Sequence, residues 1–282
     1  MFNWNNKQLS SSATVRVIGD RAAGKTTFMA ALARYPNAHP NSQVQAITAI
    51  NEDGEKLIKM AQEILEQGLE LEPTDLNADI SEIKDYLLQI VLKSRSSEAP
   101  KLSLNCKDYA GEFFSDLLNQ STNSLLQDYL DDCLQASGIM LLVDGTSRKY
   151  TEIAASIDKF LVALDRSEAS ATQRRIAMVI TKCEQPELWI NRKDPKQMAS
   201  NIFPQIYQKL QAWRGGKVEY FAASAFGMIG TNSPAPNFTK VKAGREGLAA
   251  VLKYPNRWRP FGLVAPIYWL CTGQRRRDIE GE

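Results

Sequence analysis

Eight residues near the amino terminus, Gly19-Asp20-Arg21-Ala22-Ala23-Gly24-Lys25-Thr26, follow the spacing G-x-x-x-x-G-K-[ST]. Each residue type in it answers a demand of polyphosphate chemistry. Glycines let the backbone curl until the N–H groups of Asp20, Arg21, Ala22, Ala23, Gly24, Lys25, Thr26 and Thr27 can face phosphate oxygens. Lys25 offers a point charge to the β- and γ-phosphates, and the Thr26 hydroxyl is a ligand for Mg²⁺. Such a loop works only between a strand and a helix. ATVRVIG at 13–19 reads as that strand, and Phe28, Met29, Leu32 and Ala33 behind the loop recur at helical spacing. The motif calls for a nucleoside triphosphate and leaves the base open.

The residues that choose the base must sit at other strand ends, so the elements come next. EKLIKMAQEILEQG at 55–68 places Leu57, Ile58, Ala61, Ile64 and Leu65 on one helical face with Gly68 as its C-cap, after a polar stretch at 36–51 that reads as loop. Segments 84–94 and 101–111 read as an antiparallel hairpin. SGIMLLVDGTS at 137–147 and RIAMVITKCE at 175–184 are apolar runs of the kind buried on both faces of a parallel sheet. Helices are expected after each, the second broken at Pro204, and KVEYFAASAFG at 217–227 is the last strand. This alternation predicts an α/β fold, a mostly parallel central sheet with helices on both faces, one antiparallel edge strand and a helical insertion before the second strand. Ligands of such sheets lie at the carboxyl ends of the strands. There stand Asp108-Tyr109-Ala110-Gly111-Glu112, Thr181-Lys182-Cys183-Glu184 and Ser224-Ala225.

In that order the four motifs resemble those of the Ras-like P-loop GTPases: a phosphate loop, DxxG, [NT]KxD and SA. Within that superfamily the chain is similar to bacterial double-GTPases of multi-component conflict systems. The resemblance implies a GTP/GDP site. Asp108 would reach Mg²⁺ through water, the Gly111 amide would bind the γ-phosphate, and the stretch after it would be a switch. Thr181 stands in the Asn/Thr position, Lys182 would lay its stem along the base, and Glu184 replaces the Asp that accepts from guanine N1 and N2. Ser224 and the Ala225 amide would close on the ribose side and on O6. A further Mg²⁺ ligand is expected before the hairpin, where Thr74 fits better than Thr48. Glu112 takes the place of a water-orienting glutamine. Arg21, where glycine is common, reads either as an internal charge stabiliser or as a solvent-facing side chain that obstructs a partner's arginine. Two alternatives stay open: an ATP-using P-loop enzyme, and a nucleotide-binding adaptor without turnover.

The composition narrows the setting. In 282 residues, 44% hydrophobic and 23% charged side chains describe an ordinary globular chain. The 34 basic and 32 acidic residues leave +2, so no global field draws nucleic acid or an anionic membrane. The four cysteines lack metal-clip spacing, and the single His39 sits in a Pro/Asn-rich loop, which argues against a zinc site or a histidine triad. The amino terminus lacks a secretion signal, and FGLVAPIYWLC at 261–271 is too short to span a bilayer. The expectation is a cytoplasmic protein whose partner is an effector or regulator reading the switch regions. It would have a flexible stretch at 1–12, one domain at 13–273 (insertion about 36–82, loop about 228–260) and a solvated tail at 274–282 carrying Arg275, Arg276 and Arg277. Asp144 is expected only to support loops, and Trp258 and Trp269 to fold onto the domain.

Overall fold

In the computed structural model, which describes residues 10–37, 42–69, 83–93, 100–108, 111, 124–166, 174–243 and 247–280, the sheet is built outward from the strand that carries the phosphate loop. β1 (Ser10–Ile18) pairs in parallel with β4 (Lys101–Asp108) on one side and with β5 (Gly138–Asp144) on the other. β6 (Arg174–Thr181) and β7 (Gly216–Ala222) extend the parallel half. On the other flank β3 (Asp85–Leu92) runs antiparallel to β4, and β2 (Val44–Ala49) pairs antiparallel with β3 at the edge. The order is β2-β3-β4-β1-β5-β6-β7.

Helices cover both faces, as the alternation required. One core joins Val15 and Val17 of β1 to α1 (Lys25–Arg34), α2 (Glu52–Gln67) and the carboxy-terminal segment. The other joins Ile139, Leu141 and Val143 of β5 to α3 (Ser124–Gln135), α4 (Tyr150–Arg166), a short α5 (Pro186–Trp189), α6 (Pro195–Ile202) and α7 (Pro204–Ala212). The break expected at Pro204 separates α6 from α7. β5 and β6 carry near-continuous buried apolar runs because both their faces are covered. Beneath β1, the buried Arg16 guanidinium holds Asp132 of α3 by Nε (2.5 Å) and Nη2 (2.9 Å), and Lys107 of β4 reaches the same carboxylate at 3.3 Å. That cluster fixes α3, whose chain returns from the DxxG strand, against the sheet.

Several sequence expectations are corrected. The stretch 36–51 is not wholly loop: it contains β2, which as an edge strand needs only Val44 and Ile47 inward and leaves Gln45 and Thr48 exposed. The insertion helix therefore lies between β2 and β3. It starts at Glu52 because the Asn51 side chain accepts from the Gly54 amide, and it ends at Gly68, left-handed at φ 72°. Ser10 to Ser12, expected to be flexible, pair with Lys101 to Ser103 of β4, while residues 1–9 lie outside the described ones. The segment 228–260 holds two hairpins, β8 (Met228–Ile229) with β9 (Ala235–Pro236) and β10 (Phe238–Ala243) with β11 (Gly247–Leu252).

The tail is a solvated end only in part: Gln274, Arg275, Arg277 and Asp278 are exposed, but the segment is tied to the domain. After α8 (Ala265–Thr272), Arg275 bonds Glu219 of β7 at 3.2 Å and stacks over Phe221, and Ile279 is buried. The buried Trp258 and Trp269 bear out the terminal segment folded onto the domain. No helix among the described residues is long and apolar enough to cross a membrane. No two of the four cysteines are joined by a disulfide.

Candidate nucleotide site

The sequence motifs converge because their strands end together. Val17 lies in register with Asp108, Ile18 with Leu141, Asp144 with Thr181 and Ile180 with Ala222, so the loops after five parallel strands leave the sheet at one end. Gly19 must be glycine, since a Cβ there would lie 2.4 Å from the Leu142 carbonyl oxygen. The loop then curls through Asp20, whose carbonyl accepts from the Ala23 amide at 3.1 Å and whose side chain accepts from the Arg21 amide at 2.8 Å. Ala22 and Gly24 both have positive φ, 63° and 85°. A Cβ on Gly24 would meet no atom within 4 Å among the described residues, so the curl borders open space.

α1 begins at this curl without a capping side chain, the arrangement that leaves a helix N-terminus to an anion. The helix is buried nearly all round, from Phe28 to Ala33, and so cannot turn to offer a different terminus. Lys25, itself buried, directs Nζ back at the Gly19 carbonyl (2.9 Å) and the Asp20 carbonyl (3.2 Å), which holds its charge at the loop's centre. Arg21 is exposed, and Thr26 and Thr27 lie half-buried in the first turn of α1.

Gly111 comes up against the loop from the β4 side. A Cβ on it would stand 2.5 Å from the Arg21 nitrogen and 2.7 Å from the Arg21 Cα, so glycine there is a requirement of close main-chain approach. Asp108 ends β4 beside β1; its side chain, together with Glu112, Thr74 and His39, falls outside the described residues. Thr48, the weaker magnesium candidate, is exposed on β2 opposite Gln89.

The base-side motifs are joined to the phosphate loop. Thr181 donates its hydroxyl to the Ala23 carbonyl at 2.8 Å, and it is buried. Lys182 takes a positive φ of 60°, a conformation costing about 1–3 kcal/mol that needs outside support. That support is Asp144: its Oδ2 receives Lys182 Nζ at 2.6 Å while its Oδ1 ties down Thr146 through N–H and hydroxyl. The sequence had given Asp144 only a role in bracing loops. It braces Lys182 itself, a role signalled in the sequence by a lone acid ending an apolar strand.

Glu184 is buried at 3% exposure, and its Oε2 has no hydrogen-bond partner among the described residues. Burial pushes its carboxyl above the ordinary glutamate range, while a hydrogen bond with Ser224 and the charge of Lys182 pull the other way. Ser224 is buried one strand over, and its Oγ accepts from the Gly227 amide at 2.7 Å. An ionised carboxylate in this position calls for N–H donors, and a guanine edge carries two. Adenine presents an acceptor at the same edge. The residues therefore fit a guanine nucleotide. For the metal, Thr26 and Asp108 flank the phosphate loop from α1 and β4.

A family profile described as Double-GTPase 1 matches residues 16–197. No curated protein matches the chain. Among solved structures, Era in complex with MgGDPNP and a 16S ribosomal RNA fragment is 14% identical, with a TM-score of 0.36 over 77% of this chain and 52% of that one. The Saccharomyces cerevisiae Ski7 GTPase-like domain bound to GTP is 14% identical, with a TM-score of 0.40 over 77% of this chain and 44% of that one. Sup35 complexed with GDP is 12% identical, with a TM-score of 0.35 over 80% and 40%. The chain thus spans about half or less of the solved chains it matches. With the profile running from β1 into α6, over more than half the sequence, the chain belongs to the Double-GTPase 1 family of P-loop GTP-binding proteins.

Proposed function

We propose that this protein binds GTP with Mg²⁺, hydrolyses it slowly and serves as a regulatory switch read by a partner protein in a reducing, cytoplasmic setting. The observation that carries the base assignment is the buried Glu184 Oε2 without a partner, one strand from Ser224 and joined through Thr181 to the phosphate loop. In this reading Glu184 accepts from guanine N1 and N2, Lys182 lies along the base, Ser224 supports the ribose side, and the Ala225 amide donates to O6. The amides of residues 20–27 cradle the phosphates, and Lys25 neutralises charge that grows between the β- and γ-phosphates as water attacks. Mg²⁺ held by Thr26 and Asp108, with Thr74 as a further ligand, supplies charge neutralisation on the triphosphate when bound.

Gly111 donates its amide to the γ-phosphate. Its close seat against Arg21 supports a mechanism in which loss of that phosphate frees the following segment, the surface a partner would read. Glu112 orients the attacking water. Its charge and the exposed Arg21 both argue for modest turnover without a partner.

The test is displacement of a fluorescent GDP analogue from the full chain by GDP and by ADP, followed by single-turnover phosphate release with wild type and Lys25→Ala. GDP is expected to bind at least about 100-fold more tightly than ADP, with release lost in Lys25→Ala. Equal affinity for ADP would reject the base assignment. Release no faster from wild type than from Lys25→Ala would reject the enzyme.

A further inference from the structure

The turn Ala223–Gly227, which carries the O6-reading amide in the proposed function, is held by its own Ser224 and also by a segment more than 30 positions further on. Beyond the end of β7, Ser224 and Phe261 form an antiparallel bridge, N–H to carbonyl in both directions at 3.0 and 3.1 Å. Gly227 bridges to Arg259 in parallel. A Cβ on Gly227 would lie 1.8 Å from the Arg259 carbonyl oxygen, and one on Gly262 would lie 1.9 Å from the Ala222 carbonyl oxygen; both glycines have positive φ. The two backbones thus approach as closely as glycine allows on each side of the turn. Between these bridges the indole of Trp258, 2% exposed, donates Nε1–H to the Ala225 carbonyl at 2.7 Å. A buried indole N–H requires an acceptor, and here the acceptor is the residue whose own amide is assigned to the base. On its other side the Trp258 ring lies 5.4 Å from the guanidinium of Arg34, the last residue of α1, which is paired with Glu66 of α2.

We infer that Trp258 is a positioning residue for base recognition: the Phe261 N–H holds the Ser224 carbonyl, which shares a peptide plane with the Ala225 amide, and the Trp258 indole holds the Ala225 carbonyl on the next plane, so that the strap 258–262 grips Ala225 from both sides and fixes the direction of its amide toward guanine O6. This inference rests on the guanine reading above. The indole contributes one directed hydrogen bond, on the carbonyl side of Ala225, so its loss is expected to reach the base through the rotation of Ala225 and hence through the atom that the Ala225 amide meets.

The experiment is Trp258→Phe in the full chain, which keeps the ring and removes only the donor, with affinities measured for GDP, IDP and 6-thio-GDP. IDP retains O6 and lacks the 2-amino group; 6-thio-GDP replaces O6 with sulfur, a weak acceptor. Expected is a loss of about fivefold to tenfold for GDP and IDP alike, the range of one neutral hydrogen bond, with 6-thio-GDP changed less than about twofold. Equal weakening of all three, or of none, would overturn the inference, because general loosening of the turn does not discriminate at O6.

Wild type run beside it against ADP separates the two levels: no preference for GDP rejects the guanine reading and this inference with it, whereas a clear preference with an unselective Trp258→Phe rejects the inference alone. Should Trp258→Phe fail to fold, hydrogen exchange on the wild type decides the matter. GDP is expected to slow exchange at 223–227 and 258–262 together, and protection at 223–227 with none at 258–262 would overturn the coupling.

Discussion

In the proposed function, Glu184 concentrates the tension between stability and ligand recognition in one carboxyl group. Its acidity is weakened chiefly by burial. Folding therefore binds a proton more tightly than the unfolded chain does. The ligand-free protein is expected to lose stability as pH rises from the unfolded glutamate value through the raised folded one. Glu184→Gln should remove that pH dependence and raise the melting temperature of the ligand-free protein at neutral pH by about 2–4 °C, the effect of ~1 kcal/mol of relieved desolvation in a domain of this size. The same variant should weaken GDP binding by at least about tenfold, since an amide cannot accept two N–H groups at that edge. A melting temperature unchanged or lowered across pH 5–8 would remove Glu184 from this role. Gly111 makes a second residue-scale case. The atoms a Cβ would strike belong to the Arg21 main chain and cannot swing aside. Gly111→Ala is expected to leave GDP affinity within about twofold while slowing phosphate release at least about tenfold, read in a single-turnover assay; release at the wild-type rate would contradict the assigned seat.

At the scale of elements, α2 is fastened at its start to the strand it precedes. Asn51 caps the helix, and the same side chain donates to the Asp85 carbonyl (2.5 Å) and accepts from the Leu87 amide (3.1 Å) of β3. Asn51→Ala should lower stability by about 2 kcal/mol, the sum of a lost cap and bonds to β3, visible as a lower denaturant midpoint with an unchanged slope. An unchanged midpoint would mean that α2 is held by its apolar face alone. Which elements were legible follows from how they are buried. β5 and β6 stood out because covering both faces demands unbroken apolar runs, and α2 because Leu57, Ala61, Ile64 and Leu65 recur on one face. β2 did not, because an edge strand needs only two inward side chains among polar neighbours. β8 and β9 were hidden because their pairing spans only two residues each, and β10 and β11 because they lie in a stretch of loop-like composition and are held by contacts such as Asn237 to the Tyr254 main chain that no local spacing announces. The motif residues were readable because the phosphate and base chemistry proposed for them restricts residue type. Trp258 was visible only as an aromatic among Arg and Pro, since spacing gives no hint that its acceptor is Ala225.

On the scale of the whole molecule, the two cores are closed by the carboxy-terminal segment. The tail read as solvated because its charges dominate the composition; several of them are indeed exposed, while pairing among themselves and with β7: Arg276 with Asp278, Arg275 with Glu280 and Glu219. The single apolar residue among them, Ile279, enters the first core. Ending the chain after Gly273 is therefore expected to reduce stability by about 2 kcal/mol from the burial of Ile279 alone, measured by denaturant unfolding. No change in midpoint would return the tail to solvent. The strap has a consequence for synthesis. The phosphate loop is made before the strands that flank it: β1 finds its parallel neighbours only when β4 and β5 follow, and the turn at Ala225 is gripped only once Trp258 to Gly262 have appeared. In the proposed reading the phosphate cradle can thus close once β5 is made, whereas the turn that faces the base is gripped more than a hundred residues later, so grip on the phosphates and choice of purine mature at separate stages of synthesis.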